Sequence, residues 1–136
     1  IMEGPWDAMA FWQCCSVLAY TNKEDASGGL ETTFSQRKCI LSKANVIGVP
    51  GCSVFRDVWG KMLKGKDVIF MYDNDHPKVN PQTGKVLKPA GFAGMERAVR
   101  LVAPYAKSIR ILNWGPDGFS TDLPSGYDVR DALFSH

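Results

Sequence analysis

Residues 67–75 read Asp67-Val68-Ile69-Phe70-Met71-Tyr72-Asp73-Asn74-Asp75, a nearly unbroken apolar run that stops at two carboxylates. A short run without polar alternation predicts a β-strand covered on both faces. Two covered faces require helical layers on either side of a mostly parallel sheet. The rest of the chain supplies them. Strand-like segments recur at Ile1-Met2, Asn45–Pro50 and Ser108–Trp114, and helical patterns at 6–20, 54–64, 92–106 and 129–135 fall between and after them. The expected class is α/β, with about four mostly parallel strands joined by right-handed crossovers.

Local signals refine this outline. Pro5 suits the first position of a helix, where its missing N–H costs nothing. Trp6, Ala8, Met9, Phe11, Trp12, Val17 and Leu18 predict that the first helix is largely buried. Residues 21–35 read as a polar loop or small excursion, and Cys39-Ile40-Leu41 as a short strand. Ser53 is placed to cap a helix carrying Val54, Phe55, Val58, Trp59, Met62 and Leu63, which Gly65 ends. Residues 76–91 hold three Pro, two Gly and three Lys, and Asn80-Pro81-Gln82-Thr83-Gly84-Lys85 has the composition of a hairpin tip. Met95, Ala98, Val99, Leu101 and Val102 mark the core side of the next helix.

With 136 residues and 45% apolar content, the chain is long enough for one domain with a real core and too short for two. The first strand reads as a truncated stump, and residues 1–136 read as an excised domain of a larger protein. The under-filled sheet edge is a place where another chain could add. No run approaches the roughly 20 apolar residues of a membrane helix, and no signal peptide is visible. The expectation is an intracellular, cytoplasmic protein without a membrane partner. Cys14, Cys15, Cys39 and Cys52 show no CxxC spacing, and with two His a structural zinc site is not expected. Reduced thiols are.

The net charge of +2 conceals blocks: −4 over residues 1–35 and +6 over 76–110. Such blocks fit solvated faces, and they also fit an acidic centre that meets a polyanion among basic segments. Asp73 and Asp75, at i and i+2, point to one side of an extended segment. That spacing lets two carboxylates share a divalent cation, and it also fits a turn in which Asp and Asn bond their own backbone. Glu3 and Asp7 stand at the other strand-to-helix junction, and Asp7 also suits a first helical turn. Three carboxylates converging at one sheet edge repel one another unless a cation joins them. His76 reads as an exposed turn residue rather than a ligand. The Trp and Phe residues fall at core spacings, and none is assigned to base stacking.

Taken together, Met2-Glu3-Gly4-Pro5-Trp6-Asp7-Ala8-Met9, Val46-Ile47-Gly48-Val49-Pro50-Gly51 and Phe70-Met71-Tyr72-Asp73-Asn74-Asp75 resemble the TOPRIM domain. This is a Rossmann-like metal-binding fold of primases, topoisomerases and some nucleases. Gly126-Tyr127-Asp128-Val129-Arg130-Asp131-Ala132-Leu133 resembles the "Asp, two residues, Asp, small, Leu" tail of primases and primase-helicases. The resemblance spans nearly the whole chain. It departs from the pattern in that Ala90-Gly91, which usually follows the Asp-x-Asp closely, comes only after the insertion at 76–89.

The resemblance implies that Glu3, Asp73 and Asp75 are catalytic and, with Asp128, hold Mg²⁺ or Mn²⁺. Gly4, Asp7, Asn74 and Asp131 would support them. Lys78, Lys85, Lys88 and Arg97 would contact a nucleic-acid backbone, although solvated lysines on a loop read equally well. The implied activity is metal-dependent nucleotidyl transfer, making RNA primers in DNA replication. Its partners would be a DNA template, nucleoside triphosphates and the remaining domains of a phage- or plasmid-type parent, a helicase among them. A nuclease or topoisomerase-like phosphodiester cleavage is the alternative with the same acids. A non-catalytic nucleic-acid-binding module is the third.

Overall fold

The computed structural model describes residues 1–17, 20–24, 30–34 and 44–134. In chain order the elements are α1 (Pro5–Val17), β1 (Tyr20–Glu24), β2 (Leu30–Phe34), α2 (Asp57–Met62), β3 (Asp67–Phe70), β4 (Lys78–Val79), β5 (Val86–Leu87), α3 (Ala90–Val102), β6 (Ser108–Ile111) and α4 (Val129–Phe134). The protein is mixed α/β. β3 and β6 form a two-stranded parallel sheet, with Asp67 opposite Ser108 and Phe70 opposite Ile111. Met2 extends the pairing with single parallel bridges to Met71 on one side and Gly48 on the other. Its N–H donates to the Ile47 carbonyl and its carbonyl accepts from Val49, both at 2.9 Å.

The continuous apolar run works as its composition requires. Val68, Phe70 and Tyr72 turn alternate side chains into one core with Val49, Phe55, Met95, Ala98 and Val102, beneath α2 and α3. Met71 leans the other way, onto a smaller cluster of Met2, Ala8 and Val129 beneath α1 and α4. Phe70 is fully buried and meets Phe55 and Tyr72 edge-on, with ring centroids 6.2 and 6.1 Å apart. Burying a ring of this kind contributes about 1.5–3 kcal/mol. The sheet is thereby fixed as the floor on which the strand-end acids stand.

The insertion folds as the turn residues dictate. β4 and β5 pair antiparallel, Lys78 opposite Leu87. Asn80 Oδ1 accepts from the N–H groups of Gln82 and Thr83 at 2.9 and 3.2 Å. The chain then re-enters at Pro89, and α3 starts at Ala90.

Several local expectations are corrected. Ser53 does not cap α2. The helix begins at Asp57, and its N-cap, Arg56, makes no side-chain cap bond. Instead the Ser53 carbonyl accepts from the Arg97 guanidinium. Trp6, Met9 and Trp12 are exposed, at 67%, 59% and 60%, and Val58 and Met62 are exposed too. Apolar residues surround α1 on all sides, and among the described side chains the face bearing Ala8 and Phe11 reaches the core. Residues placed in a polar loop include two strands, β1 and β2, paired antiparallel with Tyr20 opposite Phe34. Thr32 and Thr33 are β-branched and suit a strand better than a loop. The segment 45–50 contributes a single bridge rather than a strand. The strand expected at Cys39–Leu41 lies outside the described residues.

Candidate functional site

Glu3 follows the central bridge residue Met2, and Asp73 and Asp75 follow the end of β3, so the parallel bridge between Met2 and Met71 brings the three acids to the same edge. Gly91, one residue into α3, closes over them. Its N–H donates to Asp75 Oδ2 at 2.7 Å. A methyl group on its Cα would stand 2.9 Å from the Asp73 carbonyl, 3.2 Å from Glu3 Oε2 and 3.3 Å from Asp75 Oδ2. One point therefore lies close to three oxygens from two chain segments. Only glycine fits there. The long insertion thus leaves the edge as a hairpin and returns Ala90-Gly91 to the carboxylates.

Each acid has a different environment. Glu3 Oε1 accepts from the Cys52 N–H at 3.1 Å, whereas Glu3 Oε2 is buried without a hydrogen-bond partner. Burial, and then the charge of Asp75, push the Glu3 carboxyl above its usual range. Asp73 is pushed up to about 8, first by burial and then by Glu3, Asp7, Asp128 and Asp75. Asp7, a buried residue in the first turn of α1, is raised to about 6 by burial and by Asp128, against the opposing pull of Arg130. The Cys52 thiol and the Tyr72 hydroxyl are both raised, first by burial and then by Glu3. The Tyr72 hydroxyl, too, is buried without a partner. Asp73 thus feels the charge of four other carboxyls. Arg130 reaches two of these, standing 2.7 Å from Asp128 and 3.9 Å from Asp7.

Asp128 and Asp131 have a structural role of their own. Asp128 Oδ1 accepts from the Asp131 N–H at 2.8 Å, and Asp131 Oδ2 accepts from the Asp128 N–H at 3.2 Å. This reciprocal pair is a capping box that starts α4. Asn74, between the two aspartates, is fully buried and points away from them. Its Nδ2 donates to the carbonyls of Ser120 and Pro124, and its Oδ1 accepts from Ser120 N–H at 2.7 Å. His76, expected to be exposed, is half-buried. Its Nε2 lies 3.1 and 2.9 Å from the carbonyls of Ser120 and Leu123. Asn74 and His76 together fasten the 120–125 loop to the end of β3.

The sequence-derived basic residues stand in different surroundings. Lys78 and Lys85 are exposed on the hairpin. Lys88 is paired with Glu96 at 3.0 Å, and Arg97 is held by Ser53. Gly4 lies against Asp7, whose Oδ2 would be 2.8 Å from a methyl group there. Sequence reasoning missed the backbone N–H donors of Cys52 and Gly91, whose roles no side-chain type encodes. It could have found the capping box, because Asp-x-x-Asp before an apolar residue is a helix-start signature.

As they lie, no three described His, Cys, Asp or Glu side chains form a metal-holding group. The donor set nonetheless fits a hard divalent cation. It is all oxygen, it includes the orphaned Glu3 Oε2, and its mutual repulsion is what such an ion relieves. Among the described residues, no helix is long and apolar enough to cross a membrane. Comparison with family models, curated proteins and solved structures gives no match.

Proposed function

We propose that this chain is a TOPRIM-type domain of a DNA primase or primase-helicase. Its acid cluster would serve Mg²⁺- or Mn²⁺-dependent nucleotidyl transfer. The observation that carries this reading is the convergence of Glu3 Oε2, the Asp73 carbonyl and Asp75 Oδ2 on one point beside Gly91. The placement of Met2 between Gly48 and Met71, with β6 beyond β3, supports the finer Rossmann-like arrangement of four parallel segments. Acids at the carboxyl ends of such segments stand where α/β sheets bind ligands.

Glu3, Asp73 and Asp75 would hold the cation, with Asp128 and Asp7 shaping the field around them. A bound divalent ion would neutralise charge on the phosphates and favour the ionised form of an attacking hydroxyl. The chain's own contributions are distinct from that. Glu3, whose carboxyl is pushed above its usual range by burial and by Asp75, is the chain's candidate proton acceptor at Oε2. Cys52 N–H fixes the other Glu3 oxygen, and Gly91 N–H fixes Asp75. DNA template, nucleoside triphosphates and further domains, a helicase among them, are the proposed partners. The test is calorimetry with Mn²⁺, followed by ribonucleotide incorporation on single-stranded DNA with the parent's other domains supplied. Mn²⁺ binding with incorporation supports the reading. Mn²⁺-dependent DNA degradation without nucleotides would replace it with a nuclease. Absence of Mn²⁺ binding would leave a non-catalytic module.

A further inference from the structure

An open groove of about 230 Å³ lies between the β4–β5 hairpin and the 117–119 loop. It is lined by Phe92, Phe119, Val86, Leu87, Pro77 and Pro89. Val86 and Leu87 are 63% and 44% exposed, so apolar surface is left facing water. Two charged side chains complete the lining, Lys88 and Asp117. Lys88 Nζ stands 5.7 Å above the Phe92 ring. The volume is below that of a pocket for a drug-sized ligand and has room for one small ring system.

The groove's position is what gives it meaning. Pro77 is two residues from Asp75 and Pro89 two residues from Gly91, and Asp75 and Gly91 are joined by a 2.7 Å hydrogen bond. Two residues of chain span at most about 7 Å. The groove's two prolines therefore lie within about 7 Å of residues at the acid edge, inside the reach of a nucleotide. We infer that it receives the base of a nucleotide whose phosphates reach the Glu3–Asp73–Asp75 edge. Phe92 and Phe119 give the base aromatic and apolar surface, which is tolerant of base identity. Lys88 at the rim is paired with Glu96 and closes that side of the groove, and Asp117 can accept a hydrogen bond from an exocyclic amino group. The insertion at 76–89 thereby acquires a role as one wall of the base site.

This inference rests on the nucleotidyl-transfer reading, and its test separates the two. Calorimetry in Mn²⁺ compares ATP with inorganic tripolyphosphate on the wild-type chain, on Phe119→Ala and on Val86→Glu. Val86 is exposed on the hairpin, so its replacement does not threaten the core. The expected result is that ATP binds about tenfold tighter than tripolyphosphate to the wild type. Both variants should lose that preference while their affinity for Mn²⁺ alone is unchanged. Equal affinity for ATP and tripolyphosphate in the wild type would overturn the base site and leave the acid site standing. So would an ATP preference that survives in both variants. Failure of Mn²⁺ to bind the wild type would remove the acid-site reading on which the inference depends.

Discussion

Gly91 donates its backbone N–H to Asp75 across a sixteen-residue excursion of chain, at 2.7 Å. The same residue leaves no room for a side chain, because a methyl group would crowd the Asp73 carbonyl at 2.9 Å and Glu3 Oε2 at 3.2 Å. A short polar contact and a steric limit therefore act at one position, and both bear on where the carboxylates stand.

Gly91→Ala is expected to weaken Mn²⁺ binding by about tenfold or more, or about 1.4 kcal/mol. In an unobstructed helix the change would add about 1 kcal/mol of stability. Here the added methyl faces a backbone carbonyl that cannot step aside, so a net loss of about 1–2 kcal/mol is expected. Paired Mn²⁺ titration and thermal denaturation check both parts. A more stable variant with intact Mn²⁺ affinity would show that the helix start is not pressed against the acids.

Without metal, stability is expected to fall as pH rises from about 4 to about 8. The Asp73 carboxyl has a folded pKa of about 8 against 3.8 in the unfolded chain. Over that window the unfolded state has released a proton that the folded state still holds. The slope of stability with pH is therefore negative. After discounting for solvent reaching the half-buried group, the loss is on the order of 1–2 kcal/mol, or roughly 3–8 °C in Tm. Asp73→Asn should flatten the slope and raise Tm at pH 8. Tm measured across that range in chelator decides it.

Much of this was legible in residue types and their spacing. The apolar run Val68–Tyr72 specified a strand buried on both faces, and Asn80 with Gly84 marked the turn of the insertion. Other features depend on tertiary context. The exposure of Trp6, Met9 and Trp12 is invisible in a helix that is apolar all round, because periodicity then picks no face. Ser53 is as good a cap by type as any, but its carbonyl is taken by Arg97 and the chain runs extended to Arg56. Asn74 sits in the most suggestive motif of the sequence. Its partners are backbone carbonyls 46 and 50 residues away, which no local pattern announces.

Asn74→Ala is accordingly expected to act on the 120–126 loop more than on the metal site. It removes a fully buried amide whose oxygen and nitrogen are both bonded, and it leaves Ser120 N–H without its acceptor. The expected cost is about 2–4 kcal/mol. Hydrogen exchange should quicken at Ser120 and Gly126 first. Mn²⁺ affinity, measured well below Tm, should change by less than about threefold, less than 1 kcal/mol.

Asp128 and Asp131 are separable by their two roles. Either Asp→Ala breaks the capping box and should cost about 1 kcal/mol. If Asp128 also helps hold the cation, Asp128→Ala weakens Mn²⁺ binding and Asp131→Ala does not. Equal, small effects of both on Mn²⁺ would confine Asp128 to starting α4 and holding Arg130.

The most direct measurement is Mn²⁺ calorimetry on the wild type, Glu3→Gln and Asp73→Ala, at pH 7.5 and with folding checked by circular dichroism. The acid-cluster account predicts saturable binding to the wild type, with an affinity loss of about tenfold or more in each variant. Saturable binding that is unchanged in both folded variants, or no binding to the wild type, would contradict it.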